Sequence, residues 1–141
     1  KSLIKLFMKY RATIFAVERI PRASIRQHGV IAIKRTVEPK LYEVKRVVEK
    51  PGVQEMADIK SLSNLAVVGA YVFTPQALQH LDAAWALAPE LNDALPINIV
   101  FHRELENGKP LYGWEFPGIR LDCGTPKNFK SAERFLKRHR S

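Results

Sequence analysis

Residues Leu121–Phe129 read LDCGTPKNF and set a carboxylate, the chain's only thiol and a helix-start signal side by side. Thr125 followed by Pro126 supplies a hydroxyl cap and a first-turn proline, so a helix is expected from about Pro126 towards Lys137. Asp122, Cys123 and Gly124 then fall between a strand end and a helix N-terminus, where α/β folds usually do phosphate and metal chemistry. A carboxylate there suits a hard divalent cation such as Mg2+, which takes oxygen ligands, whereas a soft sulfur suits it poorly. Asp122 is therefore the candidate metal ligand, and Cys123 is expected to pack inward as a small apolar residue. An aspartate that only caps the following turn is the plainer alternative. The histidines, His28, His80, His102 and His139, are scattered without ligand spacing, so a cysteine–histidine metal site is not expected.

The elements around this stretch follow from periodicity. Leu3, Leu6, Phe7 and Tyr10 share one face at helical spacing. Ala12–Glu18 reads as a buried strand, and Pro21 to His28 as a short helix or turn closed by Gly29. Val30–Lys34 and Leu41–Lys50 read as the two strands of a hairpin. Leu41, Val44 and Val47 do not alternate, which predicts a bulge or twist. Pro51 to Ser63 reads as a loop. Leu65–Phe73 is a strongly apolar strand, and Gly69 inside it predicts a bulge or a close approach. Thr74-Pro75 starts a helix that carries Leu78 and Leu81 inward. Another helix is expected from Asn92 or Asp93, with Pro96 in its first turn, to Gly108. Leu111–Phe116 is a further strand.

With 141 residues, 46% apolar and 26% charged, the composition is that of one soluble globular domain. No apolar run approaches a membrane span and no signal-peptide pattern opens the chain, so no membrane partner and a cytoplasmic location are expected. The net charge of +9 is densest in Phe129–Ser141 and between Lys34 and Lys50. Zinc-finger spacing, an aromatic RNA-binding signature and a helix-turn-helix are all missing, so nucleic acid is not an expected partner. The charge points to a solvated face with a basic tail, to attraction for a phosphorylated small molecule, or to a non-catalytic polyanion- or partner-binding module.

Three stretches taken in order, VVEKP (Val47–Pro51), SNLAVVGAYVFTP (Ser63–Pro75) and GIRLDCGTPKNFKSA (Gly118–Ala132), resemble the bacterial sugar nucleotidyltransferases. DCG, where thymidylyltransferase relatives carry a threonine after the aspartate, favours the UTP–glucose-1-phosphate uridylyltransferase branch; a thymidylyltransferase is the neighbouring alternative. The resemblance implies an α/β fold: a Rossmann-like layered structure with a mixed sheet flanked by helices. It also implies that residues 1–141 form a single partial domain, the C-terminal, sugar-phosphate side of such an enzyme. The family's Gly-rich loop and first metal-binding aspartate have no counterpart in the sequence.

The resemblance further implies site roles. Lys50 matches the lysine that contacts the phosphate of the sugar 1-phosphate, and an ammonium at a strand end is suited to a dianion. Glu49 matches the glutamate that accepts hydrogen bonds from sugar hydroxyls. Gly29 matches the glycine whose backbone approaches the sugar, with His28 in place of the usual tyrosine. Asn64 and Val67 lie in the strand that lines the sugar pocket, and Asp122 matches the second Mg2+-binding aspartate. The implied substrates are glucose 1-phosphate and UTP, with a homo-oligomer as a further expectation. The isolated chain is expected to be inactive and to expose a sheet edge and an apolar helix face. Ala88–Pro96 departs from the family's glycine-containing pattern, although Glu90 and Asp93 persist.

Overall fold

The chain opens on a helix because Ser2 caps it: the Ser2 hydroxyl accepts a hydrogen bond from the Lys5 N–H at 3.4 Å. In the computed structural model, which describes residues 2–52, 61–86, 97–121 and 123–139, this helix is α1, Leu3–Tyr10. It stops at Arg11, which adopts a left-handed conformation (φ 51°) and donates its N–H to the Phe7 carbonyl at 2.8 Å. Leu6 is buried, and Leu3, Phe7 and Tyr10 pack beside it against Ile14, Leu41 and Tyr112. The helical spacing of these residues was legible in the sequence.

Strand β1 (Thr13–Arg19) follows, then a 3-10 turn (Arg22–Gln27), β2 (Gly29–Glu38), β3 (Leu41–Glu49) and β4 (Leu65–Val72). Helices α2 (Pro75–Ala86) and α3 (Ile97–Glu106), strand β5 (Leu111–Glu115) and helix α4 (Pro126–Arg138) complete it. The sheet is mixed and flanked by helices, as expected. β1 runs parallel to β5, and the other pairings are antiparallel. The order is β1-β4-β2-β3-β5, with β5 returning to β1, so the sheet closes on itself. The free sheet edge expected from the sequence is therefore not found among the described strands, although β2 and β4 meet only at Val30 and Ala66.

The hairpin β2–β3 is longer than Val30–Lys34 suggested and carries the irregularity that Leu41, Val44 and Val47 predicted. Ala32 pairs with Arg46 and Ile33 with Val44, so Lys45 is an extra residue in β3. Ile33 pairs with Val44 and Arg35 with Glu43, so Lys34 is an extra residue in β2. Gly69 lies in a bulge too: Phe15 pairs with Tyr71 and Val17 with Val67, leaving three residues of β4 against one of β1. A side chain at 69 would meet open space, so the bulge, and not a close approach, accounts for that glycine.

The main core lies where α3 packs on the sheet, built on Phe15, Val17, Ile31, Val44, Val47, Leu65, Phe101 and Leu111. The rings of Phe15 and Phe101 stack with centroids 4.8 Å apart. Truncating Phe101 to alanine is expected to cost about 3–5 kcal/mol by transfer and cavity terms. Two smaller clusters centre on Ile25 with Ala66 and on Leu6 with Ile14.

Thr74 caps α2 by accepting from the Ala77 N–H at 3.1 Å. Leu78 does not turn inward: it is 47% exposed, while Ala77 and Ala84 are buried. The two alanines are seven residues apart, two helical turns, and so share one face of α2; Leu81 is half-buried. The expected start of α3 near Asn92, Asp93 or Pro96, the altered segment Ala88–Pro96 and most of the loop from Pro51 to Ser63 lie outside the described residues. The Thr125 hydroxyl caps α4, accepting from the Asn128 N–H at 3.2 Å.

Candidate functional site

Gly29, the first residue of β2, is registered opposite Glu49, the last of β3, so both stand at the open end of the hairpin. Lys50 follows in a left-handed conformation (φ 43°), and its N–H donates to the His28 carbonyl at 3.2 Å. That bond ties the residue after β3 to the residue before β2. Left-handed backbone costs an L-residue about 1–2 kcal/mol. Arg11 and Lys40 are the other non-glycine residues with positive φ among the described residues.

Beside this hairpin end is an open cleft of about 490 Å³. Gly29, Glu49 and Lys50 form its polar rim with His28, and Val67, Tyr71 and Phe101 give it an apolar wall. Asn98, in the first turn of α3, adds an amide. The Tyr71 hydroxyl is held above the usual phenol range by burial and by the neighbouring Glu49 carboxylate. A carboxylate that only accepts, an ammonium that only donates, an amide and an aromatic wall suit a polar ring with an anionic substituent.

Of the sequence candidates, Gly29, Glu49, Lys50 and Val67 converge on this one cleft. Asn64 does not line it. Its Oδ1 accepts from Arg19 Nη1 at 3.0 Å and its Nδ2 donates to the Ile20 carbonyl at 2.9 Å, which ties the end of β1 to the start of β4. Asp122 lies outside the described residues. Cys123 corrects the expectation of inward packing: it is exposed, with Sγ 3.8 Å from the Leu121 carbonyl. The described residues around it, Ile119, Arg120, Gly124 and Thr125, are exposed as well, which leaves the thiol at the surface. Among the described residues no three His, Cys, Asp or Glu side chains group as a metal site.

Sequence reasoning missed Tyr71, Phe101 and Asn98. Tyr71 reads as one more apolar residue of a strand whose alternation the Gly69 bulge breaks. Phe101 and Asn98 reach the cleft only because α3 packs across the sheet.

A second polar cluster sits at the adjacent C-terminal ends of the parallel strands β1 and β5. Arg19 forks onto Glu115, Nε to Oε1 at 3.2 Å and Nη2 to Oε2 at 2.9 Å, and the Tyr42 hydroxyl donates to Oε2 at 2.9 Å. Burial pushes the Glu115 carboxyl up, but the Arg19 and Tyr42 bonds outweigh it and hold the group below the usual range. The same carboxylate raises the Arg19 guanidinium. Every group in this cluster already has a protein partner, so it reads as a brace between β1, β3 and β5.

Comparison with known proteins bears on the family and the fold. A UTP–glucose-1-phosphate uridylyltransferase of Pseudomonas aeruginosa is 27% identical over 135 residues, covering 96% of this chain and 45% of the relative. One from Komagataeibacter xylinus is 29% identical over 127 residues, covering 88% of this chain and 40% of the relative. Among solved structures, apo-UDP-glucose pyrophosphorylase superposes with a TM-score of 0.77 at 29% identity, over 98% of this chain and 47% of that one. A UDP-glucose pyrophosphorylase complexed with UDP-glucose gives 0.72 at 30% identity, over 96% and 48%. The chain thus spans a little under half the length of these relatives. The nucleotidyl transferase family profile matches residues 1–139, and the chain belongs to that family.

Proposed function

We propose that the cleft at the β2–β3 hairpin end binds the sugar 1-phosphate of a nucleotidyl transfer, glucose 1-phosphate by analogy with the uridylyltransferases the chain resembles. The observation that carries this reading is the convergence of Gly29, Glu49, Lys50 and Val67 on one opening. Lys50 sets its ammonium against the phosphate dianion. Glu49 accepts from two neighbouring hydroxyls and so orients the ring. Gly29, without a side chain, leaves room for the Glu49 carboxylate at the ring, and Val67, Tyr71 and Phe101 face its C–H surface. Asn64 acts indirectly, by fixing the start of β4.

In the whole reaction a phosphate oxygen of glucose 1-phosphate attacks the α-phosphorus of UTP in line, UDP-glucose forms and pyrophosphate leaves. This chain's share is alignment and charge cancellation at the nucleophile. The chain spans under half the length of its relatives, and inactivity of these 141 residues on their own is part of the same proposal. Mg2+, with Asp122 as one ligand, belongs to the same reading; when bound it would offset charge on the crowded phosphates. The described residues supply no ligand set for it, and acceptor binding by Lys50 and Glu49 does not depend on it. A cytoplasmic location and self-association through exposed helix faces complete the reading; among the described residues no helix is long and apolar enough to cross a membrane.

The test is a calorimetric titration of glucose 1-phosphate into the chain and into Lys50→Ala, with and without Mg2+. Saturable binding lost in the variant is the expected result. Saturable binding that the variant leaves unchanged, or no binding in either, overturns the reading. Salt-sensitive binding to heparin without preference for sugar phosphates would favour the polyanion module instead.

A further inference from the structure

The two lysines displaced by the hairpin bulges, Lys34 and Lys45, line a further cleft of about 260 Å³, with Glu43 and Val44 of β3 and Leu105 of α3. Bulges re-aim side chains, and here two successive bulges on paired strands bring two lysines to one opening. Lys109 is the third, delivered by the turn that follows α3, where Gly108 adopts φ 68°. Val44 and Leu105 form the apolar wall.

The one carboxylate in this lining, Glu43, is 6% exposed, and both its oxygens are occupied. Lys34 Nζ lies 2.7 Å from Oε1 and Arg35 Nε 2.6 Å from Oε2. Bonds from Lys34 and from Arg35 hold that carboxyl below its usual range. In the lining one negative charge thus stands against Lys34, Lys45 and Lys109, and the excess there is positive. The C-terminus of α3 lies beside the cleft, and its partial negative charge opposes an anion. That end is capped: the Asn107, Gly108 and Lys109 N–H groups donate to the carbonyls of Arg103, Leu105 and Glu104 at 3.0, 3.0 and 2.9 Å. With those carbonyls occupied, the lysines dominate.

The geometry points to a second anion site in this cleft, for a compact phosphate-type oxyanion, separate from the cleft at the hairpin end. The volume is below the range usual for drug-sized ligands and suits one or two phosphoryl groups. Both clefts share β3 and α3: Glu49, Ile97 and Phe101 line the first, and Glu43, Val44 and Leu105 the second. This proposal does not depend on the sugar-phosphate reading of the first cleft.

The test titrates pyrophosphate and, separately, inorganic phosphate at fixed ionic strength, read by calorimetry and by phosphorus NMR. Three proteins are compared: Lys50→Ala, which silences the first cleft; Lys45→Ala/Lys109→Ala; and the triple variant. All three lysines are exposed, so the fold is expected to persist, checked by circular dichroism. Saturable binding in Lys50→Ala that weakens at least tenfold in the triple variant is the expected result; which probe binds more tightly tells one phosphoryl group from two. Equal binding in Lys50→Ala and the triple variant, or no saturable binding of either probe to Lys50→Ala, overturns the proposal. Loss of glucose 1-phosphate binding in Lys50→Ala alone bears on the first cleft only.

Discussion

The Glu49 carboxylate lies over the α-carbon of Gly29, so close that a methyl group at position 29 would collide with it. Gly29 is not among the residues with positive φ, so an alanine fits the backbone and the carboxylate must move instead. Gly29→Ala is expected to leave the melting temperature within a few degrees of the parent, because the obstacle is the far end of a flexible side chain. It is expected to weaken glucose 1-phosphate binding about tenfold or more, the worth of a hydrogen bond to a charged group. Paired thermal melts and calorimetry check it; unchanged affinity would detach Glu49 from the sugar.

Lys50 separates stability from binding. Lys50→Gly relieves the left-handed backbone at φ 43° and is expected to stabilise the fold by up to ~1 kcal/mol after the added chain entropy of glycine. The same change removes the ammonium and is expected to abolish sugar-phosphate binding. Urea denaturation alongside calorimetry checks both, and a destabilised Lys50→Gly would remove the strain argument.

Acid should loosen the sheet through Glu43 and Glu115, whose carboxyls are both held below the usual range in the folded chain. A depressed folded value contributes stability that is present above the unfolded value, about 4.5, and is lost as pH falls through the folded value. Stability is therefore expected to fall below about pH 4.5, and Glu43→Gln to flatten that decline. Denaturant midpoints from about pH 3 to 7 check it, the range being set by the ordinary carboxylate values.

Thr13 links three elements. Its hydroxyl donates to Glu104 Oε2 at 3.2 Å and accepts from the Thr74 N–H at 3.3 Å, and both Thr13 and Glu104 are buried. Glu104 Oε1 has no hydrogen-bond partner, and His80 Nε2 stands 3.7 Å away. Thr13→Val orphans a buried carboxylate and a buried N–H together and is expected to cost about 2–4 kcal/mol. Glu104→Leu removes the orphaned group itself and is expected to cost less than Thr13→Val. Chemical denaturation of the two variants tests that order.

Exposed apolar residues are expected to drive self-association. Ile4 and Met8 are 68% and 55% exposed one turn apart on α1, and Phe129 and Leu136 are 57% and 51% exposed on one face of α4. Light scattering is expected to rise with concentration and to fall in Ile4→Lys/Met8→Lys. A monomer at every concentration would leave these faces without a partner.

The local code was legible in the sequence wherever one residue's chemistry decides one turn of chain. Thr74-Pro75 and Thr125-Pro126 start helices because a hydroxyl answers a free N–H and proline loses nothing at the first turn. Leu3, Leu6, Phe7 and Tyr10 fall on one face because the helical period puts them there. The family resemblance marked Gly29, Glu49, Lys50 and Val67, which line one cleft, and also Asn64, which does not. What tertiary structure alone decided is which side chains share a space. Leu78 has the right spacing to point inward, but the fold buries Ala77 and Ala84 and leaves Leu78 47% exposed. Cys123 is small enough for a core, yet its segment crosses the surface. The closure of the sheet, the crossing of α3 that brings Phe101 and Asn98 to the cleft, and the two bulges that bring Lys34 and Lys45 together depend on contacts between residues far apart in sequence. Periodicity records only which face of an element is apolar; packing determines what that face meets.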